Sequence, residues 1–438
     1  MSKPNRPRRP NRPRTNNPRG RTRAARPVKP TFTPIIVEVS VGDPAHGGHA
    51  VARHEGRVIF VRGAAPGERV RVEVDNPDPD AKFWRGRTIS VLEASADRID
   101  PVWPFGAEHE FGGVELGFLT LSAQRAWKQS VVEELLERIG GVQVEVPVLS
   151  MPDDDANLGL ATRTRVGLFA TAEGQLGFRP LRSEDIVVTE ELPIAVSGLI
   201  DSGLLQQRYP AGTKVEFALS SSGEDPLVVV DGEPQPDASG FLRTSVTEIV
   251  PTRLGDQHYR VSAGSFWQAH KDAPAALVEQ VLDAVGDVAG RKVLELYSGV
   301  GLFTKPLAAV VGRTGQLTAV EGNETAVSDA HHNVHGLTHV RVVRSEVLPE
   351  LRRVVEADEM IHTVVLDPAR SGAGKSVIEQ LGLLEPTQIV HIACDPAALA
   401  RDVSLYRQAG YELVRVTALD LFPGTHHIEV VALLRRTR

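Results

Sequence analysis

The sequence predicts three folded parts in series: a small β-barrel, a mixed α+β segment, and a doubly wound α/β sheet. Three observations carry this. Between residues 35 and 74, short alternating stretches are punctuated by glycine turns, the grammar of a small closed barrel. From residue 251 onward, strand-like and helix-like stretches alternate, as they do in a parallel sheet covered by helices. Two long apolar segments then follow, 411–421 and 427–436, joined by a short turn containing Pro423 and Gly424. No crossover helix fits between them, so they must form an antiparallel hairpin.

In chain order, residues 1–31 come first. The first thirty contain nine Arg and two Lys with no acid, so a chain of net charge −7 has a body carrying −18. With almost no apolar side chains this stretch cannot offset the entropy of ordering, and we expect a disordered basic tail. Such a tail suits either the phosphate backbone of nucleic acid or a simple solubilising role. It lacks the apolar core of a secretory signal, and no apolar run approaches the ~20 residues of a membrane helix. No membrane partner and a cytoplasmic location are the expectations.

The barrel occupies 32–98, with strands expected around 35–41, 46–53, 56–61 and 65–74. Residues 99–250 read as the α+β segment. Leu119, Leu121, Trp127, Val131, Val132, Leu135, Leu136 and Ile139 fall near helical spacing until Gly140 and Gly141 stop them, and strand patterns follow from 160. Within 251–438, strands are expected at 292–297, 315–321, 338–343, 362–367 and 388–393.

The chemistry concentrates at the ends of those strands, where ligands of open α/β sheets bind. Val293 to Thr304 reads as strand, glycine turn and helix start, with Gly299 and Gly301 allowing close backbone approach. Thr304 stands where a dinucleotide fingerprint has its third glycine, which lowers the weight of a nicotinamide site. Glu321 ends the next strand, placed to accept hydrogen bonds from ribose hydroxyls. Asp367 and Cys394 end two further strands and converge on the same crevice. Cys394 is the only cysteine. It reads either as a buried small hydrophobe or as a nucleophile whose pKa the following helix N-terminus lowers. A single cysteine also excludes a disulfide framework and any four-cysteine metal site within the chain.

Five ordered stretches together resemble the RNA 5-methyluridine methyltransferase family. They are Phe266-Trp267-Gln268, Tyr297-Ser298-Gly299-Val300-Gly301, Asp367-Pro368-Ala369-Arg370-Ser371-Gly372, Cys394-Asp395-Pro396-Ala397 and Phe422-Pro423-Gly424-Thr425-His426-His427-Ile428-Glu429. The barrel in front resembles the TRAM module, an OB-like fold appended to RNA-modifying enzymes. The resemblance implies a class I (Rossmann-like) methyltransferase domain over 251–438, S-adenosyl-L-methionine as donor, and RNA, ribosomal or transfer, as partner. It implies Cys394 as nucleophile and Glu429 as proton acceptor. Gln268, Tyr297, Gly299, Gly301, Glu321 and Asp367 would surround the donor. On pattern alone Gln268 serves equally as a helix cap and Glu429 as a surface strand residue. His426 and His427 read as turn residues that shape the site.

This sequence departs from the resemblance in two ways. Many relatives carry cysteines for an iron–sulfur cluster just after the barrel, whereas Val102 to Gly113 contains none, so no cluster and no other metal is expected. Asp395 stands where the family more often has Asn, and a carboxylate there discourages a thiolate unless its charge is paired. Two other readings compete with this one. An RNA cytosine-C5 methyltransferase would place a cysteine after the Asp-Pro motif, where this chain has Ala369-Arg370. A noncatalytic RNA-binding protein would not need Cys394 and Glu429.

Overall fold

The computed structural model describes residues 32–437 apart from Arg182 and Ala238; the arginine-rich segment 1–31 lies outside the described residues. Strands β1 (Ile35–Ala45), β2 (His49–His54), β3 (Arg57–Arg62), β4 (Arg69–Val74) and β5 (Phe83–Glu93) close into a barrel in the order β1-β2-β3-β5-β4. Alternation sends Val37, Val39 and Val41 of β1 and Val70, Val72 and Val74 of β4 inward. Gly86 is required in β5, because a Cβ there would lie 2.4 Å from Val72 Cγ1. Buried Glu68 accepts two hydrogen bonds from Arg98, at 2.6 and 2.7 Å, which fastens the barrel to the chain that leaves it.

Next come α1 (Pro104–Glu108), α2 (Leu121–Leu135), β6 (Val148–Leu149), β7 (Arg165–Ala170), β8 (Leu176–Phe178), β9 (Val187–Val188), α3 (Ser197–Ile200), β10 (Lys214–Ala218), β11 (Leu227–Val230) and β12 (Glu233–Pro234). β7 to β12 form a sheet in the order β12-β11-β10-β7-β8-β9. Its core holds Leu168, Leu176, Val215 and Phe217 with Trp103 and Phe111. The Thr120 hydroxyl caps α2 by accepting from Ala123 N–H at 3.3 Å, and Gly141, in the left-handed region, ends the π-turn that follows it. α2 does not cover the central sheet. Trp127, Val131, Val132 and Leu135 share a core with Leu399, Val403 and Tyr406 further along the chain.

A hairpin of β13 (Ser245–Val250) and β14 (Gln257–Ser262) leads into the α/β part. That part contains α4 (Ala273–Val285), β15 (Lys292–Leu296), α5 (Thr304–Val311), β16 (Gln316–Glu321), α6 (Glu324–Asn333), β17 (Val340–Arg344) and α7 (Val347–Glu356). It continues with β18 (Thr363–Leu366), α8 (Gly374–Leu384), β19 (Gln388–Ala393), α9 (Pro396–Gln408), β20 (Tyr411–Leu419) and β21 (Glu429–Arg436). The sheet order is β17-β16-β15-β18-β19-β21-β20-β6. The first five strands are parallel and β21 runs against β19, as the closing apolar pair requires. β6 adds an edge strand parallel to β20, so a segment from before the central sheet completes this one. The carboxyl ends of β15, β16, β18 and β19 open into one crevice.

Candidate active site

The glycine turn sits at the tip of β15. Tyr297, Gly299 and Gly301 all have positive φ, 61°, 54° and 93°, and for tyrosine that conformation costs energy that functional turns commonly carry. Glu321, at the tip of β16, holds the turn by accepting from Gly299 N–H at 2.9 Å, and its other oxygen accepts from Asn323 N–H at 2.7 Å. Each carboxylate oxygen retains a lone pair for a further donor. Trp267 packs 5.4 Å from Tyr259, whose hydroxyl donates to Leu302 carbonyl at 2.9 Å, so the Phe266–Gln268 segment is anchored to the same turn. Phe266 is 76% exposed, while Gln268 is buried without a side-chain hydrogen bond among the described residues.

The chemistry of this crevice fits a cationic, hydroxyl-bearing ligand. Both carboxyl oxygens of Glu295 and the hydroxyl of Ser298 are buried and unpartnered. Burial, with Asp367 and Glu321 adding, pushes Glu295 up to about 8 against the pull of the nearby Thr304 hydroxyl. Burial likewise pushes Asp367, at the tip of β18, up to about 7. Acids held uncharged by desolvation are what an incoming cation relieves. The sulfonium and ribose of S-adenosylmethionine supply that charge and those hydroxyls.

Cys394 follows β19, and Ala393 pairs with Val430 across β21. Continued by one residue, the antiparallel register sets Cys394 opposite Glu429 at the mouth of the crevice. Glu429 is 4% exposed. Burial, then Asp367, drives its pKa well above the carboxylate range, with Arg370 opposing. The Asp367–Gly372 loop that carries Arg370 is pinned from α9, where Asp402 accepts from Ala373 N–H at 2.7 Å and Gly374 N–H at 3.1 Å. A Cβ on Gly372 would come within 2.5 Å of that carboxylate, which accounts for the glycine in the motif.

The expectation that the α9 N-terminus lowers the cysteine pKa is corrected here. Burial, then Glu429 and Asp367, pushes the Cys394 thiol up to about 11, with Arg370 working the other way. The N-terminus of α9 is capped by Asp395, whose side chain accepts from Ala398 N–H at 2.7 Å. Because Cys394 is the sole thiol, alkylation by iodoacetamide reports it cleanly. In the ligand-free protein the rate should keep rising as pH passes the ordinary thiol range of about 8.5, and Arg370→Met should react more slowly at any given pH. A plateau at neutral pH would show a resting thiolate instead.

Three partnerships are invisible in sequence. Asp395 lies 3.3 Å from His46 of the β1–β2 turn, so the carboxyl beside the cysteine is hydrogen-bonded from the barrel. His426 Nδ1 bonds Glu115 at 2.6 Å, and buried Lys128 of α2 donates to Asp420 at 2.5 Å and to Phe422 carbonyl at 3.0 Å. With Gly424 N–H donating to Gln124 at 2.7 Å, these contacts fix the Phe422–Glu429 loop, in which His426 and His427 do shape the turn. Glu115, His426 and His427 bring ligand-type atoms within 4.8 Å of one another. Arg163 acts on Glu115, and Arg370 and Lys128 act on His427, a field that opposes a bound cation.

Five parallel strands closed by an antiparallel hairpin, with a glycine turn and an acid on the next strand tip, define a class I methyltransferase. Comparison with known proteins refines this. Residues 240–437 match the tRNA (uracil-5-)-methyltransferase family and residues 36–78 the TRAM domain. An uncharacterized RNA methyltransferase of Streptomyces avermitilis is 35% identical, over 91% of this chain and 97% of its own. The 23S rRNA (uracil(1939)-C(5))-methyltransferase RlmD of Edwardsiella ictaluri is 30% identical, over 93% and 97%. In fold, the chain is similar to the Pyrococcus abyssi tRNA (uracil-54, C5)-methyltransferase crystallised with S-adenosyl-L-homocysteine, at TM-score 0.64 and 22% identity, covering 90% and 99%. The chain belongs to the RNA (uracil-5-)-methyltransferase family and is an S-adenosylmethionine-dependent enzyme that methylates carbon 5 of uracil in RNA.

Proposed function

We propose that the enzyme acts on a uridine of ribosomal RNA through a covalent adduct, with Cys394 as nucleophile and Glu429 as the base that removes the C5 proton. The observation that supports this is the strand register, which, continued one residue past the Ala393–Val430 pair, sets Cys394 opposite Glu429. The ribosomal assignment rests on the Edwardsiella relative, named for 23S rRNA and similar over nearly its whole length. An RNA substrate goes with a cytoplasmic location. No helix among the described residues is long and apolar enough to cross a membrane.

Uracil C5 is a weak nucleophile. Cys394 gives up its proton to solvent, and the thiolate adds to C6 as the C5–C6 double bond opens, leaving an enolate whose C5 is electron-rich. The bound donor supplies the methyl group at that carbon. Glu429, made more basic by burial, then takes the C5 proton, the C5–C6 double bond re-forms, and the sulfur leaves. Glu321 is the residue to receive the ribose hydroxyls, and Gly299 and Gly301 admit the ligand to the backbone. Gln268, Tyr297 and Asp367 complete the donor site. A stacked or paired uridine hides C6, so the target must be flipped out or lie in a loop. We read the protein as free of an iron–sulfur cluster, since it has one cysteine.

The test is incubation with methyl-labelled donor and RNA from a strain lacking the enzyme, followed by fractionation and digestion to nucleosides. Label should appear as 5-methyluridine in ribosomal RNA. Label in transfer RNA would overturn the choice of RNA, and label in 5-methylcytidine would overturn the chemistry.

A further inference from the structure

Helix α8 begins without a cap of its own. Ala373 stands at the cap position with no side-chain acceptor to offer, so the N–H groups of the first turn need one from elsewhere. It comes from the next helix. Asp402 of α9, 2% exposed, takes Ala373 N–H on one carboxyl oxygen at 2.7 Å and Gly374 N–H on the other at 3.1 Å. Two donors need two oxygens, and an amide would leave one N–H facing another. Among the described residues these are the only hydrogen bonds Asp402 makes; His391 Nε2 faces it from β19 at 4.0 Å, too far for one.

This cap lies at the downstream end of the Asp367–Gly372 loop, and the two ends of that loop are held differently. Asp367 continues β18, and its N–H donates to the Leu296 carbonyl at 3.4 Å. Further on, Gly372 N–H closes a turn on the Ala369 carbonyl at 2.9 Å, and past that turn Asp402 is the anchor. Arg370 lies within the turn. Its side chain is exposed and makes no hydrogen bond or ion pair among the described residues, so the backbone alone decides where its charge stands. That charge favours the Cys394 thiolate and acts on Glu429. Cys394 stands at the head of α9 itself, just before the Asp395 cap and about two turns ahead of Asp402. We propose that Asp402 is a positioning residue for the reaction: by capping α8 from α9, it holds Arg370 in a fixed place relative to the nucleophile at the head of its own helix. This rests on the reading of Cys394 as nucleophile. Asp402 acts through the loop and not on the substrate.

The sign of one measurement separates positioning from charge. Asp402→Asn deletes a buried anion, which by charge alone would favour the Cys394 thiolate and speed its alkylation by iodoacetamide. Loss of the Arg370 placement acts in the opposite direction, so the variant should react more slowly than wild type at each pH below the range where the thiol titrates. In an Arg370→Met background, Asp402→Asn should bring no further slowing, since the guanidinium it places is already gone. In turnover with labelled donor and RNA from a strain lacking the enzyme, kcat should fall by about a hundredfold, the cost of a small misplacement near the chemistry. The affinity for S-adenosylmethionine should hold, because β18 still carries Asp367. Ala373→Pro attacks the same contact from the other side: the Ala373 φ of −68° suits proline, which removes one donor and keeps the carboxylate charge. It should slow alkylation likewise, and it decides alone if Asp402→Asn melts below the assay temperature. Alkylation as fast as wild type or faster in a folded variant would overturn the proposal, as would slowing that adds to that of Arg370→Met. Cys394→Ala protein that still makes 5-methyluridine would instead bring down the nucleophile reading, on which the alkylation rates do not depend.

Discussion

Glu429→Gln is expected to trap protein and RNA together. The amide cannot take the C5 proton, but the steps before proton removal use Cys394. The variant should therefore add to C6 and accept the methyl group, then stall because elimination requires the C5 hydrogen to leave. On a denaturing gel with labelled donor, a band of protein joined to RNA should accumulate while free product falls by several orders of magnitude. Cys394→Ala should give neither band nor product, since without the sulfur C5 never becomes nucleophilic. The double variant should behave as Cys394→Ala alone, because effects of residues acting in sequence do not add. Normal turnover by Glu429→Gln without a shifted band would remove Glu429 from the mechanism. His427, held well below the usual imidazole range at about 4 by burial and by His426, is an uncharged base within the same loop and would be next in line.

The second large effect is on stability. Lys128 and Asp420 are each 1% exposed and bonded at 2.5 Å. Removing one member of a buried pair leaves the other charge without solvent or partner, at a cost of about 3–5 kcal/mol. Lys128→Met should therefore lower the denaturation midpoint markedly and also release the Phe422 carbonyl. Replacing both residues, Lys128→Met with Asp420→Leu, should recover most of the stability, since a well-packed apolar pair is often no worse than a buried ionic one. Activity should not return with it, because the carbonyl that Lys128 holds anchors the loop leading to Glu429. Denaturant melts and methyl-transfer rates on the same three proteins separate the two contributions. Equal recovery of both would show that the ion pair serves stability alone.

What is legible in the sequence is what neighbouring residues encode. The glycine turn, the acid on the next strand and the closing hairpin are written in consecutive residues, and the fold follows them to within a few positions. Cys394 and Glu429 each lie within a local motif, and the strand register then accounts for their proximity. The supports are not legible, because they join distant segments: Glu115 to His426, 311 residues apart, and Lys128 to Asp420, 292 apart. One hint is present. Lys128 follows Trp127 and precedes Val131 on the apolar face of α2, and a lysine on such a face needs a buried partner. The cysteine pKa escapes the sequence for a related reason. A helix N-terminus is a local feature, whereas the burial and the two carboxyls that outweigh it are assembled from β18 and β21.

The placement of β21 also bears on how the enzyme is made. It follows both β19 and β20 in the chain, yet it lies inside the sheet, between them. A nascent chain that has completed α9 still presents β19 with an unpaired edge, an invitation to wrong pairing. Glu429, the proposed base, arrives with that same strand, so on that proposal a chain lacking β21 cannot complete the reaction on an RNA it meets. A chain stopped after Leu421 should show the β19 region open to protease, whereas protection equal to the full chain would mean that the sheet closes without its interior strand.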